Sequence, residues 1–294
     1  MSTADLFKPG MRLGKYTLVG PIGKGGMGGV WEVADEADNR FALKSPAAGI
    51  NAAADATKRF AREANALRML DHPNLVSAVD VFVEAGYLFL VMEKVIGRTL
   101  TKLLAEGPMV PRAALVLARQ ILDGVGHAHL QGLVHRDLKP DNIMLVDMGG
   151  WERAKIVDFG LVKLIGDAEA AMGGGKLTST GLVFGTPAYM APEQALGRPL
   201  DGRADLYAVA TILFEMLTGR TPFDNPDPMM QMRLQVKAPP PRLDMLAKGA
   251  PWCTPQLSVL VDAGLSKSPD DRFPNAQIMM QALDDAFVSL DAVI

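Results

Sequence analysis

The chain has 294 residues, enough for one large domain or two packed lobes around an extensive core. Its formal net charge is −3, so no global basic field points to nucleic acid as a partner. The single cysteine, Cys253, excludes an internal disulfide framework, fits a reducing compartment and reads as a small apolar residue.

Met1 to Gly10 has no basic start followed by an apolar run and does not read as a signal peptide. The most apolar uninterrupted stretch, Leu206 to Phe214, is too short to span a bilayer. The expectation is a cytoplasmic protein with no membrane segment in this chain, an anchor beyond Ile294 being left open. Residues 12 to 44 read as strand, glycine-rich turn, strand, strand. Tyr16–Val19 is β-prone, Gly23 to Gly29 breaks the pattern, and Val30–Val33 and Phe41–Lys44 resume it, with a turn at Asp38-Asn39. A helix is predicted from about Ala54 to Leu70, ended before Pro73, with Phe60, Glu63, Leu67 and Leu70 on one face. A glutamate on that face needs a cation, because an unpaired buried charge is costly. Residues 75 to 92 read as two strands turning at Ala85-Gly86.

From Pro111 the pattern becomes helical. Ala113 to Leu130 is one long helix, and Asp205 to Leu217 is apolar on every side and must be buried. Pro255 to Phe287 alternates helices with turns such as Lys267–Asp271. Pro-rich Ala238–Arg242 reads as a surface loop. There is no internal repeat. A strand-rich front and a helix-rich back joined near Glu93 to Gly97 predict two lobes with a cleft between them, and ligands favour such interfaces.

The chemistry concentrates in His135-Arg136-Asp137-Leu138-Lys139-Pro140-Asp141-Asn142, followed by Asp158-Phe159-Gly160. Two carboxylates, a lysine and a carboxamide in that span can hold metal ions and orient a hydroxyl for attack on phosphorus. Upstream, Gly23-Lys24-Gly25-Gly26-Met27-Gly28-Gly29-Val30 fits G-x-G-x-x-G-x-V, a run whose backbone N–H groups can approach phosphates closely. Alone, that run is as readily a plain turn. A dinucleotide-binding reading fails because strands, not a helix, follow the glycines.

Together these segments resemble the eukaryotic-type (Hanks-type) serine/threonine protein kinases. The style of Val91–Gly97 and Ala191-Pro-Glu-Gln194 resembles the bacterial branch. The resemblance implies an α+β, two-lobed fold. Its domain would span residues 12–294 after an N-terminal extension of residues 1–11: a mainly-β N-lobe with one helix (about 12–93), a hinge (about 93–97) and a mainly-α C-lobe (about 98–290). It implies ATP and Mg²⁺, with Mn²⁺ as an alternative, and protein acceptors bearing Ser or Thr. It leaves open a transient dimer for autophosphorylation in trans. Asp137 would be the catalytic base, Lys139 would neutralise charge on the transferred phosphoryl, and Asn142 and Asp158 would ligate metal. Lys44, in a strand resembling V-A-I-K, would contact the α- and β-phosphates, with Glu63 positioning it. Ile22 and the glycine run through Gly29 would cover the nucleotide. Val30, Ala42 and Met144 would enclose the adenine, Met92 would be the gatekeeper, and the backbone of Glu93 and Val95 would bond the adenine edge.

Further residues take supporting parts in the resemblance. His135 and Phe159 would stack into a hydrophobic spine with Leu67. Gly185-Thr186-Pro187 to Glu193 resembles the end of an activation segment, in which Thr186 would bridge Asp137 and Lys139. Glu193 would be buried against Arg272, and Asp205 would brace the catalytic loop; capping its own helix is the plain alternative for Asp205, and both roles can coexist. Arg136 can pair with a phosphate, so Thr178 and Thr180, with Ser179 as a weaker candidate, are expected phosphorylation sites in a segment of small residues. The interval from Asn142 to Asp158 is longer than usual and suggests an extended hairpin turn through Met148–Arg153. Two rival readings of these residues exist. A pseudokinase would lack one of Lys44, Asp137, Asn142 and Asp158, and all are present. A small-molecule phosphotransferase would lack the Gly185-Thr-Pro and Ala191-Pro-Glu segments, and both are present.

Overall fold

The computed structural model describes residues 7–25, 28–44, 67–85, 87–158 and 187–293. They fall into two compact units, the first ending at Ile96 and the second beginning at Gly97.

The first unit is built on an antiparallel sheet of β1 (Arg12–Leu13), β2 (Tyr16–Gly25), β3 (Gly28–Ala34), β4 (Arg40–Lys44), β5 (Ala78–Glu84) and β6 (Tyr87–Glu93), in the order β1-β2-β3-β4-β6-β5. Alternation decides which side chains go inward. Tyr16 and Leu18, Trp31 and Val33, Leu43, and Phe89 and Val91 form one buried cluster. Tyr16 stacks on Phe82 at 6.0 Å between ring centroids, and Phe82 stacks on Phe89 at 5.3 Å. The Tyr16 hydroxyl donates to Asp80 at 3.1 Å and Lys15 pairs with the same carboxylate at 3.0 Å. Side chains therefore link β2 to the opposite edge strand, β5, and curl the sheet.

Two features differ from the sequence reading. The glycine-rich stretch is strand rather than turn through Gly25 and again from Gly28, with Gly23 opposite Val30 and Gly25 opposite Gly28. The register shifts on both sides of Pro21, which has no N–H for a ladder. Phe7, ahead of the expected domain start at residue 12, is buried, edge-on to Trp31 at 6.4 Å and to Phe89 at 5.9 Å. Most of the helix expected over 54–70 lies outside the described residues; Leu67 and Leu70 at its end are buried.

The second unit opens with β7 (Arg98–Thr99), which joins β8 (Ile143–Asp147) and β9 (Glu152–Ile156) in a small antiparallel sheet. Gly97 is required there, since a Cβ would lie 2.2 Å from the Leu145 carbonyl oxygen. The β8–β9 turn uses positive φ at Gly149 (+80°) and Gly150 (+113°). The helices are α1 (Leu100–Leu104), α2 (Pro111–Leu130), α3 (Pro192–Ala195), α4 (Arg203–Thr218), α5 (Pro228–Lys237), α6 (Leu243–Leu246), α7 (Pro255–Gly264) and α8 (Ala276–Asp291). Helix α4 is apolar on all sides and almost wholly buried, with α2 and α7 packed against it and α8 against both of those. It stops at Gly219, whose φ of +73° suits a left-handed C-terminal residue. Side chains of Asp227, Thr254 and Asn275 cap α5, α7 and α8.

Candidate active site

In the first unit, strand register sets the positions. Ala42 pairs with Met92 and Lys44 with Leu90, while Val30 lies opposite Lys44 across the other edge of β4. Leu43 is fully buried in the aromatic cluster, so Ala42 and Lys44 must project from the other face. Ala42 and Met92 are buried, whereas Val30 and Val95 are half-buried and Ile22 is 50% exposed. Glu93 is pinned twice: its N–H donates to the Ser77 carbonyl at 3.0 Å, and its carboxylate accepts from the Ser77 N–H at 2.9 Å. Gly23 and Gly29 lie in the paired strands β2 and β3, as does the backbone of Lys24, Gly25 and Gly28. Gly26, Met27 and Glu63 lie outside the described residues.

In the second unit a 3₁₀ turn, Pro140–Asn142, follows the His135–Lys139 loop and feeds β8. The Asp137 carboxylate sits 3.5 Å from Lys139 Nζ. Asn142 Nδ2 donates to the Asp137 carbonyl at 2.8 Å, which leaves Oδ1 as the atom that could coordinate a cation. Val157 N–H donates to the Asn142 carbonyl at 2.8 Å, so Asp158, the next residue, is carried alongside. Met144 is half-buried in β8. Phe159, Thr178, Ser179, Thr180 and Thr186 lie outside the described residues.

His135 is 1% exposed. Its Nδ1 accepts from the Asp137 N–H at 3.3 Å and its Nε2 lies 3.2 Å from the Val157 carbonyl, which fixes a neutral ring carrying its proton on Nε2. Burial pushes the imidazole below its ordinary pKa, and the nearby charges of Asp205, Asp137 and Asp158 offset only part of that.

Asp205, on the first turn of α4, is the anchor of the loop. It is 2% exposed. Its carboxylate accepts from the His135 N–H at 2.7 Å and the Arg136 N–H at 2.9 Å, and lies 2.8 Å from His129 Nε2. Burial raises its pKa, but the His129 bond, the neighbouring histidines and the His135 N–H outweigh it and hold the carboxyl below the usual range. The capping alternative is not realised: the N-cap of α4 is Gly202, and no side chain caps it. Arg136 and Asp158 both adopt left-handed backbone, φ +63° and +64°. Such a residue costs roughly 1–2 kcal/mol, so it persists only where its surroundings hold it. Arg136 is held at both main-chain groups, its N–H by Asp205 and its carbonyl by Gln194 Nε2 at 2.8 Å.

Glu193 and Arg272, 6% and 5% exposed, form a two-pronged pair with both bonds at 2.7 Å. Arg272 also donates to the carbonyls of Ser266, Lys267 and Arg203, so the buried charges are satisfied. Tyr189 donates to Glu215 at 2.6 Å, fixing the same segment to α4. Sequence reasoning missed His129, Gln194 and the Tyr189–Glu215 bond. Gly202 belongs with His129, because a Cβ there would lie 2.6 Å from the imidazole. One signal could have found His129: it lies one turn after buried Val125 on the apolar face of α2.

Among the described residues no cluster of three His, Cys, Asp or Glu forms a ready cation cage. One amide oxygen and one carboxylate still suit magnesium, which keeps waters and arrives with phosphate oxygens.

Comparison with known proteins agrees with this geometry. The protein kinase domain family model matches residues 16–287. The chain is 37% identical over 281 residues to serine/threonine-protein kinase Pkn1 of Myxococcus xanthus, covering 94% of this chain and 39% of that protein. It is 36% identical over 279 residues to PknL of Mycobacterium bovis, covering 94% and 67%. It thus spans between about a third and two thirds of such relatives. A crystal structure of the Mycobacterium tuberculosis PknI kinase domain superposes with a TM-score of 0.72 at 26% identity, over 95% of this chain and 98% of that one. The chain belongs to the protein kinase domain family, and its curated relatives are bacterial serine/threonine kinases.

Proposed function

We propose that this chain is a serine/threonine protein kinase domain, transferring the γ-phosphoryl group of ATP to hydroxyls of protein acceptors and phosphorylating its own activation segment. The observation that carries this reading is the loop from His135 to Asn142. Asp205 and Gln194 hold Arg136 in a strained backbone, so that Asp137, Lys139 and Asn142 converge. Asp137 accepts the proton of the acceptor hydroxyl as its oxygen bonds to the γ-phosphorus. The bond from that phosphorus to the β-bridging oxygen breaks, and ADP leaves. Lys139 stands beside the developing negative charge, and Lys44 engages the α- and β-phosphates. Asn142 and Asp158 would hold Mg²⁺, which would neutralise phosphate charge. Ala42, Val30 and Met92 of the first unit would contact the adenine. Phosphorylation of Thr178 or Thr180, with Arg136 as a partner for the phosphate, would raise activity. A reducing compartment that contains ATP, the cytoplasm, is where such a domain works; no helix among the described residues is long and apolar enough to cross a membrane.

The test is incubation with Mg²⁺ and labelled ATP, with and without myelin basic protein, and in parallel with choline or an aminoglycoside. Label is expected on serine and threonine of the protein and on the chain itself. Label confined to the small molecules, or none at all, overturns the assignment.

A further inference from the structure

Helix α5 buries two glutamines one turn apart, Gln231 and Gln235, 4% and 0% exposed. A buried amide is costly unless its hydrogen bonds are made. Gln231 meets only half of that need: its Nε2 donates to the Phe223 carbonyl at 2.9 Å, while its buried Oε1 has no hydrogen-bond partner among the described residues. Gln235 reaches further. Its Nε2 donates to the main-chain carbonyls of Pro187 at 3.2 Å and Ala188 at 2.5 Å. Its Oε1 accepts from the Tyr207 hydroxyl at 2.5 Å. Its own carbonyl accepts from Lys267 Nζ at 2.7 Å, and that ammonium rests 3.9 Å above the Phe223 ring. With Tyr207 bound to the amide oxygen, both N–H groups turn toward the 187–188 backbone.

The segment so held starts one residue after Thr186. Its far end is tied to the catalytic loop, through Gln194 to the Arg136 carbonyl, and its middle to α4, through Tyr189 to Glu215. Of these ties, the Gln235 bonds lie nearest in sequence to Thr186. The segment is thereby fixed to the loop that carries Asp137, the group to which an acceptor hydroxyl would be brought.

We propose that Gln235 is a positioning residue for the protein acceptor: by fixing the Pro187 and Ala188 carbonyls from α5, it sets the stretch of backbone against which the acceptor chain lies. This rests on the kinase reading above. Nothing in the nucleotide-handling residues depends on it, so its loss should fall on the acceptor and spare ATP.

The experiment is steady-state kinetics with myelin basic protein and ATP, each varied in turn. Gln235→Glu keeps the shape and still accepts from Tyr207, but presents oxygen to the two carbonyls. It is expected to raise the acceptor KM about tenfold, the effect of one or two lost hydrogen bonds, with the ATP KM within about twofold of the parent. Tyr207→Phe, which leaves the amide in place but removes the group that orients it, is expected to raise the acceptor KM less and in the same sense. A structural weakening alone would lower the active fraction without moving either KM. An acceptor KM unchanged in Gln235→Glu, or rising in step with the ATP KM, overturns the inference while the parent enzyme remains a kinase. If Gln235→Glu fails to fold, Tyr207→Phe decides: an unchanged acceptor KM overturns the inference. A parent chain that labels no protein at all removes the kinase reading and this inference together.

Discussion

The two units position their candidate site side chains by different physics. In the first, Ala42 and Lys44 are placed by strand register, with Leu43 locked behind them in a cluster of Tyr16, Trp31 and Phe89. In the second, the loop carrying Asp137 is placed by buried polar groups, chiefly Asp205 with His129 and Gln194. Apolar packing is non-directional, so a lost ring costs energy in proportion to the cavity it leaves. A buried polar network is directional, and removing one member strands the others unsatisfied. Damage to the first unit should therefore show mainly as stability, and damage to the second as stability and turnover together.

The largest effects are those of the chemical groups themselves. Asp137→Asn is expected to lower kcat roughly 10²–10⁴-fold, the usual contribution of a general base, with ATP binding and thermal midpoint kept. Lys44→Met should impair transfer through misaligned phosphate, also without unfolding. Near-normal transfer in both purified variants would refute the assignment of either unit.

The contrast itself is tested next. Trp31→Ala, at a side chain 6% exposed, should cost about 3–5 kcal/mol in urea unfolding and leave turnover per folded molecule close to the parent. Asp205→Ala should cost a similar ~3–5 kcal/mol, because one buried and one part-buried N–H group and a histidine lose their acceptor, yet lower turnover per folded molecule as well. Equal retention of turnover in the two variants would erase the distinction.

The same contrast explains what could be read from the sequence. The strands around Phe41–Lys44, the long α2 and the buried α4 announce themselves by period and by apolar run, which are local properties. The Glu193–Arg272 and Asp205 contacts were implied by the kinase resemblance and by no local pattern, because their partners lie far along the chain. The paired strands at Gly23–Gly29 were misread as a turn, since ladders are made by backbone and need no side-chain pattern. Phe7 gave no signal: one aromatic ring in an otherwise unpatterned segment buries itself against residues far along the chain. Gln194, Gln235 and His129 were invisible for a related reason. Their partners lie 58, 47–48 and 76 residues away, and a polar side chain on a helix normally faces solvent.

Acid should separate the units further. The folded pKa of His135 lies below its ordinary value of about 6.5, so the native ring stays neutral where the unfolded one takes up a proton. Stability is therefore undiminished above about pH 6.5 and falls as pH drops below it. Asp205, whose folded pKa is also depressed, adds a second loss below about pH 4 as its carboxylate is protonated. His135→Phe should flatten the decline between about pH 6.5 and 5, whatever its absolute stability. Parallel slopes for variant and parent in that window, measured by urea unfolding, would show that the buried imidazole does not control it.

The smallest effect belongs to the Asp80 cluster in the curled sheet of the first unit. Asp80 accepts from Tyr16 and pairs with Lys15, and the pair is partly open to water, with side-chain exposures of 23% and 61%. Burial raises the Asp80 pKa, but the bonds from Lys15 and Tyr16 outweigh it and hold the carboxyl below its ordinary value. Its contribution is therefore present above about pH 4 and lost as pH falls through the folded pKa. A pair this exposed is screened and contributes at most about 1 kcal/mol. Asp80→Asn should cost no more than that at pH 7, less in high salt, and nothing measurable near pH 3. The Tyr16–Phe82 and Phe82–Phe89 stacks would keep the sheet curled without it. A loss approaching that of Trp31→Ala would mean that this carboxylate, rather than the aromatic rings, closes the sheet, and both units would then depend on an aspartate that accepts hydrogen bonds.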